Sequence, residues 1–157
     1  MSMEFDFGEL DELYQEIVLD HYKNPRGRGE VPDPDVTAEG FNPFCGDQVS
    51  LRLKLDGQGR VARASFRGQG CSISQASASM LTALVEGRTL PEVQRAATRF
   101  RDLMHGKQLS EAELEELGDL EALQGVRKFP IRIKCALLSW AALEEGIEEY
   151  QARAGKR

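Results

Sequence analysis

Apolar and polar positions alternate most strictly over residues 48–55, QVSLRLKL, which put Val49, Leu51, Leu53 and Leu55 on one face and Ser50, Arg52 and Lys54 on the other. A period of two is the mark of a half-buried strand. The Asp56-Gly57 turn leads into VARASFRG. There the alternation continues and predicts an antiparallel hairpin with Ala62, Ala64 and Phe66 inward. Elsewhere the period is helical. Leu10, Leu13, Tyr14, Ile17, Val18 and His21 predict an amphipathic first helix over about 6–22. Ile73, Ala76, Met80, Leu81 and Leu84 predict a helix that Cys71 opens and Gly87 ends. Thr89 with Glu92 and Ser110 with Glu113 match the capping box, which predicts helices near 90–104 and 111–117. Pro130 introduces a long last helix with Ile133, Ala136, Leu137, Trp140 and Ile147 buried. Residues 23–40, rich in proline and glycine, read as an irregular arm, with a short strand possible at 36–41. The order of elements predicts an α+β fold, a small antiparallel sheet packed against helices on one face.

Composition narrows the function without naming it. A length of 157 residues suits one domain over 1–157, with a helical insertion expected at about 89–126. The net charge of −6 argues against charge-driven binding to nucleic acid or anionic membrane. The acidic N-terminus lacks the features of a secretory signal, and no stretch is apolar long enough to span a bilayer, so a cytoplasmic location is expected. Three cysteines, an odd number and far apart, point to reduced thiols rather than a disulfide framework.

Those cysteines carry the chemistry. Cys45, Cys71 and Cys135 each fall where a loop is expected to meet a regular element, and a helix N-terminus would favour the thiolate at Cys71 and Cys135. Across Gly46, Cys45 and Asp47 can turn to the same side and converge on one ion. Three thiolates and a carboxylate suit tetrahedral Zn²⁺ or iron, with Arg132 and Lys134 placed to offset the negative charge. A hard oxygen among sulfurs hints at a site meant to exchange ligands. The plainer reading is that isolated cysteines only pack and that Asp47 is a turn residue. His21, on the apolar stripe, reads as a packing residue with a ligand or partner role open, and His105 as a cation at a helix C-terminus. Trp140 and Tyr14 read as core. Lys23, Arg26 and Arg28 form the one local basic cluster, a solvated loop or a docking patch.

NPFCGD, RGQGCSISQASASM and FPIRIKCALLSW, together with LYQEIVLDHYKNPRG near the start, resemble the SufU branch of the IscU/NifU iron–sulfur cluster assembly family over nearly the whole chain. The resemblance implies the IscU/NifU N-terminal-like fold and a zinc or iron–sulfur site at Cys45, Asp47, Cys71 and Cys135. Scaffolds of the IscU type carry a histidine before the third cysteine, where this chain has Lys134. That difference and the helical insertion favour the zinc-binding SufU type, a sulfur acceptor and activator of a SufS-type, pyridoxal-phosphate cysteine desulfurase that serves downstream iron–sulfur assembly proteins. The alternative is a scaffold that builds and transfers a [2Fe–2S] cluster. Within the zinc reading, Cys45 is the expected sulfur acceptor because its loop can move, while Cys71 and Cys135 are anchored by helices. The rival acceptor is Cys135, whose thiolate Arg132 and Lys134 would favour and where a basic neighbour can aid attack, although a more stabilised thiolate is also a weaker nucleophile; Arg132 is counted with Cys45 as a catalytic residue.

Overall fold

A computed structural model of the chain describes residues 16–43 and 46–155. After α1 (Glu16–Lys23) come three strands, β1 (Val36–Asn42), β2 (Asp47–Leu55) and β3 (Val61–Gln69). Helices α2 (Ser72–Val85), α3 (Leu90–Met104) and α4 (Glu111–Leu117) follow, then a 3-10 run (Gly118–Lys128) and α5 (Pro130–Ala154). The strands form one antiparallel sheet in the order β1-β2-β3. One face of it carries buried Val49, Leu51, Leu53, Ala64 and Phe66, which α2 and α5 cover. Gly146 lets α5 approach β1 closely, since a Cβ there would stand 2.7 Å from the Thr37 carbonyl oxygen. Among the described residues no helix is long and apolar enough to cross a membrane.

Most expected elements form, and the departures have local causes. The first helix is described only from Glu16, so Leu10, Leu13 and Tyr14 lie outside the described residues. Ala62 does not face inward. The pairing shifts between Lys54 and Leu55, so that Lys54 opposes Arg63 but Leu55 opposes Val61. This bulge turns Val61 into the core at 1% exposure and leaves Ala62 outside. Asp56 fixes the turn that sets the shift, its carboxylate accepting from the Gln58 and Arg60 N–H groups at 2.8 and 3.0 Å. Ile133 and Leu137 are half-buried rather than buried, because they pack at the margin of the core.

Helix α2 is buried on almost every side, including Ser74, Ser77, Ser79 and Thr82. Two of its buried hydroxyls donate to carbonyls, Ser77 to Ala136 at 2.6 Å and Thr82 to Ser79 at 2.8 Å. A central position therefore does not require an apolar sequence. The two capping boxes form at Thr89 and Ser110, and His105 is the C-cap of α3.

The arm is fastened on both sides. Gly27 accepts from the Phe66 N–H of β3 at 2.7 Å, and the Arg26 N–H donates to the Ser79 hydroxyl of α2 at 2.8 Å. Arg26 pairs with Asp20 at 2.7 Å and Arg28 lies 5.2 Å from the Phe66 ring centre. The two arginines are thus each engaged within the chain while remaining exposed. His21, at 1% exposure, is held between the Ser79 hydroxyl at 2.7 Å and the Asp119 carboxylate at 2.8 Å. It ties α1 to α2 and the 3-10 run, a packing role reinforced by hydrogen bonds.

Candidate metal centre

Asp47 is the first residue of β2 and is fully buried. One of its carboxylate oxygens accepts the Cys71 N–H at 2.8 Å, while the other lies 3.7 Å from Cys71 Sγ. Cys71 is the N-cap of α2, extended at φ −70° and ψ 163°, and its sulfur accepts the Ser74 N–H at 3.4 Å. The sulfur thus takes the place of the usual oxygen cap at a positive helix end. Between β3 and this cap, Gly70 adopts φ +148°, and a Cβ on it would stand 2.2 Å from the Asp47 carboxylate. Only glycine lets the carboxylate reach the thiol from below.

Cys135 is buried, with Sγ 3.8 Å from the Ile131 carbonyl oxygen. It sits in the second turn of α5 and not at its start, so the unsatisfied N–H groups of the helix end are not beside it. What brings it to Cys71 is packing. Ser77, two turns into α2, donates to the carbonyl of Ala136, the residue after Cys135, and sets α2 against α5 at that level. One ligand atom from each of Asp47, Cys71 and Cys135 lies within 4.8 Å of the other two. Two thiolates on one tetrahedral zinc are about 3.8 Å apart, by the usual Zn–S length of about 2.3 Å. The donor set therefore fits such an ion with small adjustments. Cys45, the expected fourth ligand, lies outside the described residues.

Arg132 belongs to the first turn of α5, one turn before Cys135. Burial works against its cation, but attraction to Cys71 and hydrogen bonding to Cys135 outweigh burial and hold its pKa above the ordinary arginine value. The guanidinium is therefore a fixed positive charge at the thiols. The cluster opens to solvent through a cavity of about 540 Å³ lined by Cys71, Phe129, Pro130, Ile131 and Arg132. Ile131 is 69% exposed there. Gly70 and Ser77 were not singled out as site residues from the sequence. A glycine directly before a capping cysteine was a usable signal for the first; a serine among other serines gave none for the second.

The NifU-like N-terminal domain family matches residues 13–132. The zinc-dependent sulfurtransferase SufU of Bacillus subtilis is 49% identical over 142 residues, which cover 90% of this chain and 94% of that protein. The iron–sulfur cluster assembly scaffold protein IscU of Streptococcus pyogenes is 40% identical over 140 residues, covering 89% and 86%. Among solved structures, SufU of Fervidobacterium islandicum is similar at a TM-score of 0.79 and 31% identity, covering 87% of this chain and 97% of that one. The fold of the chain, a three-stranded sheet backed by helices, is thus similar to that of a solved family structure, as the motifs implied. With the match running through most of its length, the chain belongs to the NifU-like N-terminal domain family, as a SufU-type member of the IscU/NifU group.

Proposed function

We propose that this chain is a zinc-dependent sulfurtransferase that takes persulfide sulfur from a SufS-type cysteine desulfurase and passes it into iron–sulfur cluster assembly. The convergence of Asp47, Cys71 and Cys135 beside Arg132 is the observation that carries the reading, and the likeness to the zinc-dependent SufU supports it. Together with Cys45 these residues would hold zinc. Bound there, zinc would keep the thiols in their thiolate form at neutral pH.

The protein's own residues have distinct tasks in this scheme. Asp47 is held against the Cys71 N–H and Cys71 against Ser74, so both stay in place while sulfur moves. The thiolate of Cys45 attacks the outer sulfur of the donor's persulfide. A new S–S bond forms at Cys45, the donor's S–S bond breaks, and the donor cysteine leaves as a thiolate. Arg132 offsets the negative charge that gathers as a persulfide approaches the thiols.

Metal analysis combined with a desulfurase assay tests this. About one zinc per chain, stimulated turnover and a persulfide mapped by mass spectrometry to Cys45 are the expected results. Transfer that survives Cys45→Ser, or a persulfide found mainly on Cys135, overturns the acceptor assignment. A brown protein with visible absorption would instead indicate the scaffold reading that the likeness to IscU keeps in view.

A further inference from the structure

The face of the sheet turned away from the helices carries a built pattern that the sulfur chemistry does not use. In the β2–β3 register Ser50 opposes Arg67 and Arg52 opposes Ser65. Directly opposed residues share a face of an antiparallel pair, with about 5 Å between Cβ atoms and about 7–8 Å on the diagonal. Two guanidiniums therefore rise from one diagonal of a small square and two hydroxyls from the other. The arm closes over this square and leaves a cavity of about 260 Å³, lined by Glu30, Ser50, Arg52, Ser65 and Arg67 among others.

Two details point to a ligand there. Ser65 is only 7% exposed as a residue and lines the cavity, and its hydroxyl makes no hydrogen bond to another described residue. The oxygen itself is not one of the buried atoms left unsatisfied among the described residues, so it is open to the cavity and free to donate to an incoming acceptor. The second detail is Glu30 of the arm, whose carboxylate already lies 3.3 Å from the Arg67 guanidinium although its side chain is 84% exposed. Arg52 meanwhile donates to the Ser50 hydroxyl at 2.8 Å, and that hydroxyl donates on to Glu39 at 3.0 Å. The chain thus already sets two carboxylates against the square, Glu39 on the Ser50 hydroxyl and the exposed, weakly held Glu30 on Arg67.

We propose that this cavity is a binding site for a small oxyanion, a phosphate or carboxylate group, held by Arg52, Arg67 and the Ser65 hydroxyl, with Glu30 as an internal competitor. Guanidiniums match the oxygens of such groups in paired hydrogen bonds, and a partly enclosed site strengthens each bond relative to water. Glu30, exposed and lining the cavity, must release Arg67 before the anion can take its place. The site stands on the far side of the sheet from the cysteine cluster, so its occupancy is separable from zinc binding.

The test is a titration of the full-length, zinc-containing protein with inorganic phosphate at constant ionic strength, followed by amide NMR shifts and by calorimetry, with succinate as a second arm. Saturable shifts centred on Ser65, Phe66 and Gly29 are expected. Arg52→Gln and Arg67→Gln should each weaken binding about tenfold or more, whereas Glu30→Gln should tighten it. Stronger binding of phosphate than of succinate assigns the site to tetrahedral anions, and the reverse order assigns it to carboxylates. Unsaturable shifts spread over the surface, or an affinity unchanged in both arginine variants, overturn the proposal. Zinc content and sulfur uptake, measured on the same samples, should not change.

Discussion

Replacing Gly70 by alanine probes the join between fold and site. The new Cβ would stand 2.2 Å from one Asp47 carboxylate oxygen and 2.9 Å from Asp47 Cα, and the backbone is held at φ +148°. Side-chain rotation could relieve the first clash but not the second, because Cα belongs to the strand. Forcing a non-glycine residue into such a conformation costs about 1–3 kcal/mol. Moving Asp47 away removes the charged acceptor from the Cys71 N–H, worth about 1.5–3 kcal/mol more. The sum is about 2.5–6 kcal/mol, a large share of the roughly 5–15 kcal/mol that stabilises a typical domain. Urea unfolding at pH 7 measures it, with zinc retention against a chelator as a second readout, since the displaced carboxylate is a proposed ligand. Gly57→Ala is the control: that turn glycine has open space at its Cβ position and no positive φ, so its substitution should be neutral or slightly stabilising. A Gly70→Ala protein that loses less than about 1 kcal/mol and keeps its zinc would refute the claim that glycine clears the way for Asp47.

The other expectations address separate parts of the molecule. Cys71→Ser and Cys135→Ser should both lose zinc and melt earlier, because bound metal stabilises the state that binds it; metal analysis and a thermal scan decide, and unchanged zinc in both variants rules the ligand set out. His21→Ala should destabilise by about 2–4 kcal/mol, combining a cavity with the loss of partners for Ser79 and Asp119, as read by chemical denaturation. Backbone N–H groups of Thr89 and Ser110 hold the Glu92 and Glu113 carboxyls below the ordinary glutamate value of 4.5. A lowered folded-state pKa means that the unfolded chain binds more protons in the window below that value. The two caps therefore contribute fully above it and fade as the pH falls through the folded values, so Glu92→Gln should lower the neutral plateau and flatten the acid limb of a stability–pH profile, its curve meeting that of the parent protein at the acid end.

Periodicity and capping chemistry are local properties, and they are what could be read directly. The strand at Asp47–Leu55, the helices at Leu90–Met104 and Glu111–Leu117, and the capping role of Cys71 all depend on residues within a few positions of one another. The 3-10 run at Gly118–Lys128 has no comparable signal, since its buried Leu120, Leu123 and Val126 follow neighbouring elements rather than a long period of their own. Ala62 went astray for a related reason: a bulge changes the face of every residue beyond it, and the alternation does not reveal where one is inserted.

The candidate site divides in the same way. The sequence by itself determined which residue types were available, the thiols and the carboxylate, and the motifs around them determined the family. That Asp47, Cys71 and Cys135 meet was a matter for the tertiary structure, because Cys71 and Cys135 stand 64 positions apart and are brought together by the packing of α2 on α5, at the level of Ser77 and Ala136, with Arg132 between their thiols. The same holds for the square of Arg52, Arg67, Ser50 and Ser65, in which ordinary solvent-face residues of two strands become one donor-rich surface through pairing register alone. Local rules act through neighbouring backbone and side-chain geometry, whereas a site of this kind exists only after distant segments have lost their conformational freedom together.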